Sequence, residues 1–426
     1  MNIRFYNARV LTMKEGEELF EGEVWVADNK IAYVGDGKCS IVPLKWDREV
    51  DCKGNVLMPG FKNAHTHSAM TVFRSLADDL NLQDWLNTMI FPREAKMTGE
   101  DCYTLTKLAV LEYLTSGVTA IGDMYLTPET IADACIDMGM RCVLVSGLNK
   151  FGPAMSVMEE RYQNLNGKNE LIRYKMGLHA EYTCSKELLS EASDLIHKYK
   201  APLYVHMSET KTEVEECIDR YGITPPALFE KLGLFDFGGM IYHGVHVTDE
   251  DMDILKRHNI HVASNPASNA KLASGIAPIS KYLEKGIPVS IGTDGASSNN
   301  CLDMFREMFL ITALAKLRDN DPSAVGAMEV LKMATVNGAI GMELYDCDVL
   351  SEGKLADMIM IDLHQPNMQP LHNICKNIVY SGSKMNVKMT MINGKILYEN
   401  GIFNCCENVE KLYEECNAIK ERLKDC

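Results

Sequence analysis

The sequence lacks the features that mark membrane-spanning, disulfide-stapled or exported proteins. No stretch approaches the ~18 uninterrupted apolar residues of a membrane-spanning helix. The first residues also lack a basic region followed by an apolar signal core. The 14 cysteines of the 426-residue chain include no Cys-x-x-Cys pair, so we expect reduced thiols rather than a disulfide framework. These absences predict a cytoplasmic protein with no membrane partner.

Basic residues are also in the minority. Lys and Arg number 43 against 59 Asp and Glu, which gives a net charge of −16. That balance disfavours nucleic acids and acidic membranes as partners and suits a small neutral or zwitterionic substrate. With 46% apolar and 24% charged residues, the composition is that of an ordinary globular protein. A homo-oligomer is left open.

The middle of the chain alternates apolar strand-like runs with longer helix-like runs. One run precedes His65, and seven more cover residues 119–122, 142–145, 174–178, 202–205, 240–242, 261–263 and 289–292. Eight strands in such a βα repeat, over about 280 residues, suit a (β/α)8 barrel of ~250 residues plus insertions. We therefore predict an α/β fold with a TIM-type catalytic barrel at residues 59–345.

The two ends of the chain both resemble short strands joined by turns. Near the start, the runs 3–6, 24–27 and 31–34 are strand-like, and near the other end Asn393-Gly394 is a strong hairpin signal between two more strands. Neither piece has enough strands for a core of its own. We predict one small β-sandwich made of residues 1–58 and 346–404, followed by a helix at residues 405–426 that docks on the protein.

The segment Pro59–His67 ends an apolar run in two histidines spaced i, i+2. In an extended strand such residues project from the same face, so His65 and His67 can bind one metal ion. Neutral imidazole is a good ligand for zinc and its neighbours in the periodic table. The segment therefore predicts a metal site.

Polar residues also follow several later strands of the predicted barrel. They are His179, His206, His243 and Asp294. In a TIM-type barrel the ends of these strands meet at one face, where active sites lie. Three imidazoles (His65, His67, His206) and the Asp294 carboxylate can hold a divalent ion and leave a position for water, whose pKa the ion lowers towards ~7.

Two further residues suggest acid–base chemistry beside that ion. Glu209, three residues after His206, must lie on the loop beyond the strand to act there, where it can move protons between water and the leaving group. His243 would stabilise the developing oxyanion or orient the water. His246 is an alternative for that role, although a structural role suits it better.

Several segments together resemble the amidohydrolase superfamily. They are residues 63–67, 206–210, 243–246, 264–269 and 292–300. Within the superfamily the chain looks most like the 5-methylthioadenosine/S-adenosylhomocysteine deaminases, and the segment from Ala77 to Glu94 is typical of that subgroup. The resemblance covers nearly the whole chain.

The resemblance implies hydrolytic deamination of adenosine-type nucleosides with one divalent ion per chain, and zinc is the expected metal. His65, His67, His206 and Asp294 match the metal ligands, and Glu94, His179 and Glu209 match positions that contact the substrate. Asp294 would also accept the proton of the water, while Glu209 meets the ring nitrogen. Glu94 would accept both hydroxyls of a ribose.

The resemblance also has departures. Ser146 stands near the position of an expected arginine, and Glu181 stands where a proline is expected. Both departures are expected to affect the substrate pocket, and no role is assigned to Arg161.

Two alternative functions remain. One alternative keeps the metal but acts on another ring, such as guanine or a triazine. Another is a barrel that has lost catalysis, but such a barrel should lack metal ligands, and none is missing from this sequence.

Overall fold

A computed structural model describes residues 1–38, 45–76, 78–80 and 84–424. The strands before the barrel are β1 (Asn2–Val10), β2 (Phe20–Ala27), β3 (Lys30–Gly35), β4 (Arg48–Asp51) and β5 (Val56–Pro59). The barrel strands are β6 (Phe61–Thr66), β7 (Val118–Met124), β8 (Arg141–Val145), β9 (Ile172–Ala180), β10 (Leu203–Met207), β11 (Gly239–His243), β12 (Ile260–Ser264) and β13 (Val289–Ile291). The strands after the barrel are β14 (Met358–Ile361), β15 (Val387–Ile392), β16 (Lys395–Glu399) and β17 (Ile402–Phe403).

The eight middle strands form one parallel sheet in sequence order, from β6 to β13. The first and last strands of this sheet, β6 and β13, come together at their carboxyl ends and close the barrel. There the backbone N–H of Asp294 donates to the carbonyl of His65 at 3.0 Å, and the Asn63 amide bonds to both the backbone N–H (2.9 Å) and the hydroxyl (2.7 Å) of Thr293. The predicted barrel is confirmed.

Helices follow the barrel strands and cover the outside of the sheet. The described α-helices are α1 (Phe91–Glu94), α2 (Gly99–Thr115), α3 (Pro128–Met138), α4 (Met155–Leu165), α5 (Lys186–Tyr199), α6 (Lys211–Tyr221), α7 (Pro225–Lys231), α8 (Asp249–Arg257), α9 (Pro266–Lys271), α10 (Ile279–Glu284), α11 (Ala296–Asn299), α12 (Met304–Asp319), α13 (Ala327–Ala334), α14 (Val336–Gly341), α15 (Ile374–Lys376) and α16 (Val409–Leu423). Ser185, Thr210 and Thr248 start α5, α6 and α8, and each hydroxyl accepts a backbone N–H of the first turn. None of these helices is long and apolar enough to cross a membrane.

The strands from the two chain ends pair into a second, mixed sheet of nine strands. Its order is β17-β16-β15-β14-β5-β1-β2-β3, with β4 also on β1, so β5 joins the two ends of the chain. Asn393 and Gly394 both have positive φ, of 51° and 74°, as a tight hairpin turn requires. The predicted β module built from both ends is confirmed, whereas the domain limits at residues 58, 345 and 404 stay a prediction.

A buried ion pair joins the barrel to the second sheet. Arg141 of β8 donates to both carboxylate oxygens of Asp357, at 2.6 and 3.0 Å, and both side chains are almost fully buried. The N–H of Asn393 donates to the same carboxylate at 2.7 Å. The pair thus connects a barrel strand to the hairpin turn of the second sheet.

Candidate active site

The structure places all six predicted strand-end residues at the carboxyl ends of the barrel strands. His65 is in β6 and His67 follows it, while His179, His206 and His243 are among the last two residues of β9, β10 and β11, and Asp294 lies three residues after β13. Parallel strands end at the same face of a barrel, so a polar residue at each end brings six side chains together.

His65 lies at the centre of this cluster. Its Nε2 atom is 3.1 Å from Nε2 of His206 and 3.6 Å from Oδ1 of Asp294, and that oxygen is 3.1 Å from Nε2 of His67. His65, His67 and Asp294 offer ligand atoms within 4.8 Å of one another, and so do His65, His206 and His243. The spacing suits ligands that share one ion.

The outer hydrogen bonds of two histidines determine which ring nitrogen faces the cluster. Nδ1 of His206 lies 2.7 Å from the carbonyl oxygen of His179, and Nδ1 of His67 makes a short hydrogen bond to the carbonyl of Met124. A carbonyl only accepts, so each Nδ1 carries a proton, and each ring in its neutral form presents its Nε2 lone pair to the cluster. Lone pairs that converge on a carboxylate in this way fit a divalent cation.

Burial and neighbouring charges shift the pKa values of the histidines in the cluster. Burial lowers the pKa of His65 and His206 well below the usual value, and neighbouring histidines lower it further. Burial also lowers the pKa of His67, but the hydrogen bond and charge of Asp294 outweigh it and raise that pKa to about 9. The attraction that favours a proton on His67 also favours a metal cation, and the neutral rings are in the form that binds metals.

Asp294 is held by hydrogen bonds around a left-handed backbone with φ of 60°. The hydroxyls of Ser268 and Ser298 donate to Oδ2, at 2.6 and 3.1 Å, and the N–H of Gly295 donates to Oδ1 at 2.8 Å. These bonds fix the carboxylate so that Oδ1 faces His65 and His67.

Glu209 and His243 lie next to the cluster. Glu209 is two residues beyond β10, and its Oε2 lies 3.7 Å from Nε2 of His243 while its Oε1 accepts a hydrogen bond from Ser274 at 3.1 Å. Nδ1 of His243 lies 2.7 Å from Oδ1 of Asn269. Burial raises the pKa of the Glu209 carboxyl, so this carboxyl holds a proton at higher pH than an exposed glutamate does.

The cluster opens into a pocket whose lining includes Glu94 and His179. Trp85, Leu86 and Phe91 also line it, and they belong to the segment whose residues 77 and 81–83 lie outside the described part. The Glu94 carboxylate is hydrogen-bonded to the Tyr125 hydroxyl, and burial raises the pKa of Glu94.

The departures from the family pattern occupy different environments. Ser146 lines the pocket. Glu181 is absent from the described pocket lining; it is buried in a bidentate pair with Arg220 of α6, at 2.5 and 3.3 Å. Glu181 therefore pairs with Arg220 instead of lining the pocket directly, and its effect on the pocket stays a prediction. Arg161 lines the pocket and pairs with Glu129 of α3 at 2.6 Å.

Five residues that orient the candidate site were not predicted from the sequence. They are Ser268, Ser298, Asn269, Ser274 and Tyr125. The first three fall in segments 264–269 and 292–300, so their place in these two motifs was an available signal. Ser274 and Tyr125 carry no comparable local signal, because only the folded chain brings them to Glu209 and Glu94.

The sequence matches the model of the amidohydrolase family over residues 56–397. It is 40% identical to a 5-methylthioadenosine/S-adenosylhomocysteine deaminase of Desulforamulus reducens over 422 residues, which cover 97% of this chain and 96% of that protein. A 5'-deoxyadenosine deaminase of Methanothermobacter thermautotrophicus is 38% identical over 387 residues, covering 89% of this chain and 90% of that protein.

A solved structure is similar over the whole chain. An adenosine deaminase from Xanthomonas campestris with bound zinc superposes with a TM-score of 0.94 at 28% identity, covering 100% of this chain and 99% of that one. The zinc-bound atrazine chlorohydrolase of Arthrobacter aurescens, at 22% identity and a TM-score of 0.88, covers 98% of this chain and 100% of that one, and it shares the fold.

Proposed function

Because the chain belongs to the amidohydrolase family, we propose that it is a metal-dependent aminohydrolase that hydrolyses the adenine amino group of adenosine-type nucleosides. One observation carries this conclusion. The ligand atoms of His65, His67 and Asp294 lie within 4.8 Å of one another, and His67 and Asp294 line the same pocket as Glu209 and Glu94. A metal site, an acid–base group and a carboxylate for a polar substrate therefore share one cavity.

We propose that His65, His67, His206 and Asp294 hold one divalent ion per chain, and that the ion is zinc. The convergent lone pairs and the carboxylate described above support this ligand set, and the similar adenosine deaminase contains zinc. An ion held there makes a water nucleophile available at neutral pH, because it lowers the pKa of water from about 15.7 towards ~7.

The protein's own residues then move the protons. Asp294, whose Oδ1 faces the histidines, accepts the proton of the attacking water and passes it towards the departing amine. Glu209, with a pKa that burial raises, delivers a proton to the ring nitrogen and regains one from the newly added hydroxyl as ammonia leaves and the carbonyl forms. His243 presents Nε2 to the same space, 3.7 Å from Glu209 and 4.0 Å from Asp294, and orients the water.

Glu94 and His179 are proposed to bind the substrate. Glu94 has two oxygens for the two hydroxyls of a ribose, and Tyr125 holds the carboxylate in the pocket wall. This assignment favours a nucleoside over a free base or a triazine.

The group on the 5′ carbon is proposed to be small or apolar. Leu148 and Met158 line the pocket with Ser146, and Arg161, a cation in the lining, is already paired with Glu129. A substrate carboxylate would have to compete with Glu129 for it. We therefore expect 5′-methylthioadenosine, 5′-deoxyadenosine and adenosine to be used better than S-adenosylhomocysteine.

A substrate panel tests the proposal. Zinc-loaded protein is incubated with these nucleosides, guanine and a triazine while ammonia and the adenine-to-hypoxanthine absorbance change are followed. Turnover of the nucleosides alone is expected. Turnover of guanine or the triazine without the nucleosides would refute it, and a strong lead for S-adenosylhomocysteine would refute the 5′ assignment. The cytoplasmic location stays a prediction.

A further inference from the structure

A second buried glutamate lies directly behind Glu209. Glu213 of α6 is 5% exposed, and its two carboxylate oxygens accept the backbone N–H groups of Ser208 at 2.7 Å and of Glu209 at 2.8 Å. Both amides belong to the loop that leaves β10 after His206. One side chain thus holds two consecutive peptide groups of the loop that bears Glu209.

This contact differs from ordinary capping of a helix. In a capping box the acidic residue in the first turn accepts the N–H of the capping residue itself, as Asp251 of α8 does with Thr248 at 2.9 Å. Glu213 occupies the equivalent position after its cap, Thr210, but reaches back to the two residues before that cap. Its carboxylate therefore serves the loop and not the cap.

The backbone that Glu213 holds is unfavourable on its own. Ser208 is left-handed, with φ of 55°, a conformation that crowds the side chain of any residue with a Cβ atom. The carbonyl of Ser208 accepts the N–H groups of Val245 at 2.9 Å and His246 at 2.8 Å, which belong to the loop after His243. Hydrogen bonds on both sides maintain this backbone, and it sets the direction in which Glu209 leaves the chain.

We propose that Glu213 is a positioning residue of the active site, which holds Glu209 within reach of His243 and of the substrate ring. The inference rests on the proposed function, because it assigns Glu213 a part in the reaction that Glu209 performs. Glu213 touches neither the substrate nor a metal ligand's side chain and acts through Glu209.

A double-mutant cycle tests this role. In Glu213→Gln the amide keeps one acceptor but turns an NH2 group towards the second N–H, so the loop loses one bond and gains a repulsive contact. A displacement of about 1 Å can cost ~10²-fold in rate, so we expect kcat to fall ~10- to ~100-fold with metal content unchanged. In a Glu209→Gln background the same change should alter kcat by less than about threefold, since residues that act as a unit are not additive.

Asp251→Asn is the matched control. Asp251 is equally buried, at 2% exposed, and holds the same helix position in the next βα unit, so its replacement should lower stability without changing kcat of the folded enzyme. A loss of kcat in Asp251→Asn equal to that in Glu213→Gln would overturn the proposal. An undiminished kcat in Glu213→Gln, or equal losses in both Glu209 backgrounds, would also overturn it.

Hydrogen exchange separates a failure of this inference from a failure of the proposed function. We expect the Ser208 and Glu209 amides to exchange faster in Glu213→Gln, but not in Asp251→Asn, whether or not a nucleoside is turned over. Unchanged exchange would contradict the proposal that Glu213 holds these two amides. If Glu213→Gln does not fold, Glu213→Asp is used, because its shorter side chain cannot reach both amides and the same losses are expected.

Discussion

Replacing Glu94 with alanine should abolish discrimination between ribo- and 2′-deoxyribonucleosides. A hydrogen bond to a charged group contributes ~1.5–3 kcal/mol, and each 1.4 kcal/mol is about tenfold in an equilibrium or rate ratio. If one substrate hydroxyl donates to the half-buried Glu94 carboxylate, its loss should reduce kcat/KM ~10- to ~150-fold in the wild type. Without the carboxylate the two substrates should be used almost equally.

The assay compares kcat/KM for 5′-methylthioadenosine and its 2′-deoxy analogue in wild type, Glu94→Ala and Tyr125→Phe. Tyr125→Phe is the control, because it removes the hydrogen bond to Glu94 and keeps the carboxylate, so the preference should persist. Burial raises the pKa of Glu94, so the ionised form and the preference should be lost as the pH falls through that raised value. Equal use of both substrates by wild type, or an unchanged preference in Glu94→Ala, would exclude the proposed hydrogen bond between Glu94 and the 2′-hydroxyl.

Three further changes test other parts of the site and fold. His67→Ala removes a proposed ligand outright, and metal analysis should find most of the bound ion lost; full metal content would exclude His67 as a ligand. Glu209→Gln should keep metal and substrate affinity but lower turnover ~10²- to ~10⁴-fold, because an amide cannot shuttle protons, and near wild-type turnover in a steady-state assay would contradict that role. Asp357→Asn leaves Arg141 buried without its counter-charge, so denaturant unfolding should report a loss of ~3–5 kcal/mol, and an unchanged midpoint would contradict it. Burial raises the pKa of Asp357, but the charge of Arg141 outweighs burial, so the pKa in the folded protein is lowered. The stabilisation that this ion pair gives the folded state is therefore fully present above the unfolded pKa of ~3.9 and is lost as the pH falls through the lower folded pKa.

The fold was predictable because its two sheets leave different patterns in the sequence. Buried parallel strands appear as continuous apolar runs between helical stretches, as residues 142–145 of β8 do, and Asn393-Gly394 marks a hairpin by its need for positive φ. The pairing of β5 between β1 and β14 depends on contacts between distant parts of the chain. The sequence therefore predicted that the two ends share a core, but it did not predict which strands pair.

The part of the candidate site that lies at the ends of the barrel strands could be predicted from the sequence. His65, His206 and Asp294 could be placed because a parallel barrel gathers such positions at one face. The supporting contacts could not be derived this way. Glu213 lies in a helix whose sequence resembles that of any capped helix. Glu181 pairs with Arg220, and no local pattern predicts this pair because the two residues are 39 positions apart.

The dependence of deamination on one bound ion is tested by titrating metal-free protein with zinc and measuring ammonia release from 5′-methylthioadenosine at each step. With one ion per chain and deamination that depends on it, activity should rise linearly and reach a plateau at about one equivalent, since the four proposed ligands would form a single site. Ammonia release that is unaffected by removal of the metal, or no release at zinc saturation, would contradict metal-dependent deamination by this protein.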